Sequence, residues 1–310
     1  MTVSTPVLIV AYRRSENLKA ILDQCVKQEI GTIYVNLDGP RFSDHEVEVS
    51  QCREVIYDFQ RNFSGDLHVS ISQRNDGSAV SVLKSCDWIF KSEEFAIILE
   101  DDCIPGEGFF DFVEDSKVIL SQNDKIFSVS GTQFAPQEIT CDVWSLSRYP
   151  LFWGWATSRS QWILMRNELS KMNLKNDKRM FSSYSEYCFW KSGTRRSLNG
   201  FVDAWDLPLL FSLARKDKLH LHPGVNLIRN IGVDVVATHT TKANPWIGRE
   251  TGNYVASRIP PAVNQNLNKW LYKNFYKIST RHILTTKLTA LLDQVRLNKK
   301  LRSPLSERWK

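Results

Sequence analysis

Long apolar runs are missing from this chain of 310 residues. No stretch approaches the roughly 20 apolar residues that a membrane-spanning helix requires. Near the start, Val7-Leu8-Ile9-Val10 is too short for a secretory signal, and the charges beside it, Arg13 and Arg14, follow rather than precede it. Paired cysteines are missing too. Cys25, Cys52, Cys86, Cys103, Cys141 and Cys188 are scattered, with no C-x-x-C pair and no zinc spacing. That excludes a structural zinc module of the usual kind and suits a reducing compartment, so a cytoplasmic protein is expected, soluble or peripheral on the inner face of a membrane. Internal repeats and low-complexity tracts are absent as well, which excludes a solenoid.

What is present is ordinary in bulk and uneven in placement. Apolar residues make up 42% and charged residues 24%, and the length suits one large or two modest domains. Ten tryptophans are many for this length. Aromatic-rich surfaces bind sugars or lipids, although core packing is the plainer use for most of them. The net charge of +6 is concentrated in residues 264–310, which carry eleven Lys/Arg against Asp293 and Glu307. The remainder is therefore slightly acidic. A nucleic-acid partner is not expected, because the basic charge is confined to this tail and no recognition motif appears.

The acidic trio Glu100-Asp101-Asp102 follows the apolar run Phe95-Ala96-Ile97-Ile98-Leu99. The run reads as a strand buried on both faces, and Pro105 and Gly106 close behind it are turn residues. Three carboxylates cannot continue inward, because burying unpaired charge costs several kcal/mol or more. They belong at the strand's carboxyl end, where open α/β sheets bind ligands. Clustered carboxylates there repel one another unless a cation joins them, and oxygen ligands favour Mg²⁺ or Mn²⁺. The plainer reading is an acidic loop.

Upstream, the hydrophobic pattern alternates between periods of two and 3.6. Strands are expected at Val7 to Tyr12, Thr32 to Leu37, Leu67 to Ile71 and Phe95 to Leu99. Between them, helices are expected after Ser15 as N-cap, at Glu46 to Phe59 and at Ser78 to Phe90. The first helix would bury Leu18, Ile21, Leu22 and Val26, with Cys25 beside them. This β-α-β-α-β-α-β order predicts an α/β fold with a mostly parallel sheet flanked by helices. Farther on, Ile126 to Val129 and Leu219 to Leu221 read as strands and Asp206 to Arg215 as a helix. Thr241 to Val263 reads as a loop. His220 and His222 alternate around Leu221 and so share one strand face.

In such a sheet the ends of strands one, two and four converge, bringing Arg13 and Arg14, Asp38 and the trio to one edge. A carboxylate there can accept from a ribose hydroxyl or a base, and an arginine can meet phosphate. Asp38 read alone is an Asp-Gly turn. Arg74-Asn75-Asp76-Gly77 precedes a helix whose N-terminus can receive an anion, or is simply its cap.

The stretches Pro6-Val7-Leu8-Ile9-Val10-Ala11-Tyr12-Arg13, Leu37-Asp38-Gly39 and Leu99-Glu100-Asp101-Asp102 together resemble the nucleotide-sugar-binding half of GT-A-fold glycosyltransferases. The likeness is nearest to the N-acetylglucosaminyltransferase I-like group and its bacterial relatives. It spans about residues 5–135 and continues loosely through Trp153-Gly154-Trp155, Trp205-Asp206, Asn230-Ile231-Gly232 and Ala237-Thr238-His239-Thr240. It implies a GT-A domain over residues 1–263, with a donor half to about 135 and an acceptor half after it. Asp102 would be a metal ligand, with Glu100 and Asp101 near the ribose and the metal waters. Asp38 would touch the nucleoside, with Ala11, Tyr12 and Arg13 as a wall of the base pocket and Arg74 nearby. His239 would complete the metal or diphosphate site, although an isolated histidine is usually structural. The reaction implied is transfer of a sugar from a nucleotide-diphosphate donor, a UDP-sugar by preference, to a glycan or lipid-linked glycan, with Mn²⁺ or Mg²⁺ as cofactor. An inverting transfer needs a general base. Asp206 is the candidate and Asp203 its rival; Asp206 also suits a helix cap. Trp153 and Trp155 are candidates for an acceptor-sugar face, with loop packing as the alternative.

The tail, residues 264–310, shows two amphipathic patterns, Leu267 to Ile278 and Ile283 to Leu297. Each is a basic helix that can lie on an anionic membrane surface or dock on the core. Two other functions compete with glycosyl transfer. A sugar-nucleotide nucleotidyltransferase shares the parallel sheet, but ordinarily carries a Gly-rich loop after strand one, and Ala11-Tyr12-Arg13-Arg14-Ser15 has no glycine. A non-catalytic nucleotide-sugar or carbohydrate-binding protein is the other.

Overall fold

The computed structural model describes residues 3–140, 143–174, 178–232 and 244–299. The first hundred residues alternate as β1 (Val7–Ala11), α1 (Ser15–Lys27), β2 (Thr32–Leu37), α2 (Glu46–Asn62), β3 (Asp66–Ile71), α3 (Ser78–Ile89) and β4 (Phe95–Glu100). There follow β5 (Cys103–Pro105), α4 (Phe109–Ser121), β6 (Ile126–Ser130), β7 (Trp144–Ser147), β8 (Trp155–Ser158), α5 (Arg159–Ser170), α6 (Tyr184–Leu198), α7 (Asp206–Arg215), β9 (Leu219–Pro223) and β10 (Ile228–Asn230). Two C-terminal helices close the described chain, α8 (Gln265–Trp270), prolonged by a π-helical turn at Leu271–Phe275, and α9 (Arg281–Lys299).

Eight strands form one Rossmann-like sheet in the order β3-β2-β1-β4-β8-β6-β9-β7, with β8 and β7 antiparallel to the rest. The alternation along β1 shows how the sheet divides the core. Leu8 and Val10 face the layer built on α3, α5, α6 and α7, while Val7, Ile9 and Ala11 face α1, α2 and α4. Both faces are covered, which is why the parallel strands read as unbroken apolar runs. Chain order puts β2 on one side of β1 and β4 on the other, so the connections reverse direction between β1 and β4. Ligands bind at such a switch point, outside the carboxyl ends of the strands.

Several local expectations need correction. Arg14, not Ser15, caps α1, and no side chain closes that helix end. The buried stripe of α1 is Leu18, Ile21, Leu22 and Cys25, while Val26 lies one step round the helix and is exposed. Trp155 is not an acceptor platform. It sits in a central antiparallel strand, is 1% exposed, and stacks on Trp205 with ring centroids 5.6 Å apart. Trp153 is half-buried, edge-on to Phe134 and Phe275. Neither α5 nor α6 shows a clean apolar stripe, because each buries polar residues. Gln161 turns inward on α5, and Ser185, Glu186 and Thr194 on α6.

The tail splits in two. Leu267, Leu271 and Ile278 are buried in the same core as α3 and α7, so the first amphipathic pattern is a docked helix. No helix among the described residues is long and apolar enough to cross a membrane. The stretch from 244 to 263 is irregular apart from a single bridge between Val263 and Leu146.

His220 and His222 point into one face of β9, as their spacing predicts. His220 shares a hydrogen bond with Ser128 at 2.8 Å, and His222 Nε2 meets the Tyr149 carbonyl at 2.8 Å. Burial disfavours their charged forms, holding the His222 pKa at about 4 against 6.5 for free imidazole and the His220 pKa also well below it. An unfolded chain takes up these protons below about pH 6.5, whereas the folded one resists until about pH 4, so stability should fall across that window as pH drops. Urea midpoints measured across it should show that loss, and His222→Gln should flatten the slope. Equal slopes in the two proteins would show that His222 is not held neutral.

Candidate active site

The carboxyl ends of β1, β2 and β4 open into a cavity of about 400 Å³. Backbone pairing carries the ladder past the strand ends and sets the depth of each side chain. The Asp38 amide donates to the Ala11 carbonyl at 2.9 Å and the Asp101 amide to the Val10 carbonyl at 3.1 Å. Ala11, Tyr12, Arg13, Asp38, Glu100, Asp101 and Asp102 all line the cavity, as does Asp203 from the far side of the chain. Each carboxylate meets the problem of burial differently.

Asp38 is satisfied by backbone. Its Oδ1 accepts from the Gly39 and Asp76 amides, both at 2.9 Å, and its Oδ2 from Asn75 Nδ2 at 3.0 Å and the Gly77 amide at 3.1 Å. Burial pushes its pKa up against the pull of these donors. Asp38 therefore holds the 75–77 loop in place and turns four acceptor directions inward. A direct nucleoside contact, as the resemblance implies, would have to compete with that network.

Asp101 is satisfied by charge. It accepts from the Tyr12 amide at 2.9 Å and from Arg14 Nη1 at 2.6 Å. The same Nη1 lies 3.4 Å from Asp102 Oδ2, so one guanidinium spans both carboxylates. Arg13 behaves otherwise. It pairs with Glu48 at 3.1 Å and lies 5.5 Å from the centre of the Tyr12 ring. The Arg13-Arg14 pair was visible in the sequence, but which arginine meets the acids depends on the turn between β1 and α1.

Asp102 is the most open of the three cases with resolved partners. Its side chain is 23% exposed, and its Oδ1 accepts from Asn230 Nδ2 at 3.2 Å. The β5–β10 ribbon supplies this partner, pairing Cys103 with Asn230 and Arg229 with Ile104. The next turn places Gly232 so close that a Cβ there would sit 2.5 Å from Asp102 Oδ2. Any side chain at 232 would push the carboxylate aside.

Glu100 is pushed toward its neutral form. Burial first, then repulsion from Asp102, Asp101 and Asp206, raises its pKa to about 8, against a weaker pull from a Trp205 hydrogen bond. Trp205 and Asp206 thus approach the trio from the second half of the chain. Asp206 begins α7, with Trp205 as its cap residue, and sits close enough to act electrostatically on Glu100 and on buried Tyr276.

Asp203 has another task. Its Oδ2 accepts from the Ser78 amide at 3.1 Å and its Oδ1 from the Ala79 amide at 3.0 Å, capping α3 from 125 residues away. Gly77, the residue before that helix, has φ of +79°, and a Cβ there would lie 2.7 Å from Asp203 Oδ2. Both features leave room for the carboxylate on the helix end. Each Asp203 oxygen thus accepts one backbone N–H, and the carboxylate lines the cavity while it caps the helix.

An aromatic cluster completes the cavity. Tyr12 Oη and His45 Nδ1 are 2.6 Å apart, the Arg41 amide donates to Tyr12 Oη at 3.0 Å, and Phe42 meets the His45 ring edge-on. Phe42 and His45 were not predicted, since nothing in the short 40–45 segment, which ends in a 3₁₀ turn at Ser43–His45, marks them apart from turn residues. Arg74 is exposed and lines an adjoining depression rather than the cavity itself. His239 lies outside the described residues.

Among the described residues no three His, Cys, Asp or Glu side chains converge to enclose a metal ion. A Mg²⁺ or Mn²⁺ ion bound with a diphosphate needs less, because one or two carboxylates suffice when phosphate and water complete its shell. Half-open Asp102 fits that lesser requirement. Asp101, occupied by Arg14 and the Tyr12 amide, does not.

Two measurements test these assignments. Asp203→Ala should cost about 1 kcal/mol in urea unfolding through loss of the α3 cap; unchanged stability would show that Asp203 does not stabilise that helix end. For Glu100, the folded pKa lies above the unfolded value of 4.5, so its stabilisation is full below about pH 4.5 and is lost as pH rises through about 8. In metal-free buffer, Glu100→Gln should remove that decline, and an unaltered pH profile would contradict it.

Comparison of the sequence with family profiles and with curated proteins gives no match. Solved structures show remote likeness. HddC from Yersinia pseudotuberculosis is 10% identical, with 50% of this chain and 77% of that chain covered and a TM-score of 0.32. The 4-diphosphocytidyl-2C-methyl-D-erythritol synthase from Anaerococcus prevotii is 13% identical over 56% and 80%, at 0.32. A UDP-glucose pyrophosphorylase complexed with UDP-glucose is 7% identical over 71% and 90%, at 0.35. Scores this low carry no functional argument.

Proposed function

We propose that this chain is a nucleotide-sugar-utilising transferase whose nucleotide lies in the cavity at the ends of β1, β2 and β4. The observation that carries the reading is the joining, in one cavity at the switch point, of the Tyr12–Phe42–His45 aromatic cluster with Arg13, Arg14 and Asp102. Aromatic faces suit a base, and guanidinium groups suit phosphate. A volume of about 400 Å³ lies in the range of small-molecule sites. Asp102 would hold a Mg²⁺ or Mn²⁺ ion arriving with the nucleotide, which neutralises charge on the departing phosphate.

Two reactions use such a site. In glycosyl transfer, the reading that the GT-A resemblance favours, an acceptor hydroxyl loses its proton to a carboxylate as it displaces the nucleoside diphosphate. Asp206 is the base candidate, supported by its electrostatic reach to Glu100, and Asp203, which caps α3 and lines the cavity, is its rival. Nucleotidyl transfer, in which a sugar phosphate attacks a nucleoside triphosphate and releases pyrophosphate, stands at least level with it. What favours it is the cationic lining, since Arg41 joins Arg13 and Arg14 on the cavity wall and Asp206 does not line it. The glycine-free turn after β1 weighs the other way.

Product analysis separates the two. UDP-sugars with Mn²⁺ and added pyrophosphate should give UTP and sugar phosphate if the enzyme transfers nucleotidyl groups. Release of UDP, whether or not pyrophosphate is present, identifies glycosyl transfer or its hydrolytic side reaction. Asp102→Ala should lower either turnover more than about tenfold with the fold intact. A chain that neither consumes nor is thermally stabilised by any nucleotide sugar or nucleoside triphosphate would overturn the whole reading.

A further inference from the structure

The second tail helix docks in the opposite sense to its amphipathic pattern. The face of α9 turned to α6 is largely polar, with Ile283 packed on the core and His282 edge-on to Phe189 at its start. Thr286 donates to the Cys188 carbonyl at 3.1 Å, Thr289 lies 3.2 Å from both Ser192 Oγ and Arg195 Nη2, and Asp293 pairs with Arg195 at 3.5 Å. These contacts recur at the i, i+3, i+7 spacing of one helix face. The leucines lie roughly 140° round the helix from them by α-helical geometry. Leu284 is 76% exposed, Leu288 59%, Leu291 63% and Leu292 49%. Large apolar side chains are exposed elsewhere too, Val47, Val118 and Ile259 among them, but α9 carries four along one face. The four leucines form one exposed stripe, while the helix is held by its hydroxyls, by the Asp293 ion pairs and by Ile283 and His282 at its start.

We propose that this stripe lies on an anionic lipid surface, with α9 parallel to the bilayer plane. Charge selects the occupant. Residues 264–310 carry eleven Lys/Arg against two acids, and Lys287 and Arg281 on α9 are exposed beside the leucines. Lys269, Lys273 and Lys277 of the preceding segment are exposed as well. A second copy seated on the same stripe would bring two such tails together and pay their mutual repulsion. An anionic membrane reverses that sign, attracting each basic residue near its surface while the interface takes up the leucines. The polar docking on α6 is what such a helix needs, since it fixes α9 to the body without spending the apolar face. This surface is independent of the cavity chemistry, so the two readings stand or fall separately.

Cosedimentation of the full chain with vesicles tests it. Wild type should bind phosphatidylglycerol–phosphatidylcholine vesicles at low salt, release as salt rises, and bind phosphatidylcholine alone at least about tenfold more weakly. Leu284→Ser, Leu288→Ser and Leu291→Ser combined should cost at least about tenfold in partitioning with unchanged circular dichroism, because these side chains touch no core residue. Lys287→Glu should weaken anionic binding about fivefold or more. Absence of wild-type binding, or equal binding by the triple variant, would overturn the proposal. So would a wild-type dimer that the triple variant abolishes without any vesicle binding, which would assign the stripe to a second copy.

Discussion

Five carboxylates, Asp38, Glu100, Asp101, Asp102 and Asp203, line one cavity at the end of a buried sheet, and the local structure is arranged to make that tolerable. Uncompensated, such a cluster would repel itself and favour solvent over the crevice. The solutions are all different. Asp38 takes four N–H donors, Asp203 takes the end of a helix, Asp101 takes Arg14, and burial pushes Glu100 toward its neutral form. Asp102, sharing Arg14 and held by Asn230, stays partly open to the cleft.

These solutions also assemble the two halves of the chain. Asp203 reaches back to α3, Trp205 and Asp206 approach Glu100, and the β5–β10 ribbon brings Asn230 and Gly232 to Asp102. The site is therefore held by contacts between residues more than a hundred positions apart. It could not form on the first half alone in this geometry, because α3 would lack its cap and Asp102 its amide partner. The same logic governs the C-terminal region, where the first tail helix gives its apolar face to the core and α9 keeps its own outside.

The fold of the first hundred residues was legible because short parallel strands buried on both faces must be apolar throughout, and the helices between them must carry a stripe. β2 matched its expected bounds, and β1, β3 and β4 differed at their ends by one residue. The second half was less legible, for a physical reason. Helices α5 and α6 bury glutamine, serine, threonine and glutamate, so their periodicity is hidden, and β8 enters the sheet as an antiparallel strand of only four residues. Trp155 shows the cost of reading an aromatic without its neighbours. Two tryptophans flanking a glycine look alike in sequence, yet Trp155 begins β8 and enters the core, while Gly154, at φ of +63°, breaks the extended chain before it and leaves Trp153 half-buried.

The sequence by itself determined that carboxylates collect at the carboxyl ends of apolar parallel strands, since buried strands admit no unpaired charge and strand order brings their ends together. Which carboxylate does what was decided only by the tertiary structure. Asp203 and Asp206 are both acidic residues beside a tryptophan, and Arg13 and Arg14 are adjacent arginines. Nothing local separates the members of either pair. The separation comes from distant partners, the α3 N-terminus for Asp203 and the Asp101–Asp102 carboxylates for Arg14, because the energy of a buried charge depends on what the rest of the chain places within hydrogen-bonding reach of it.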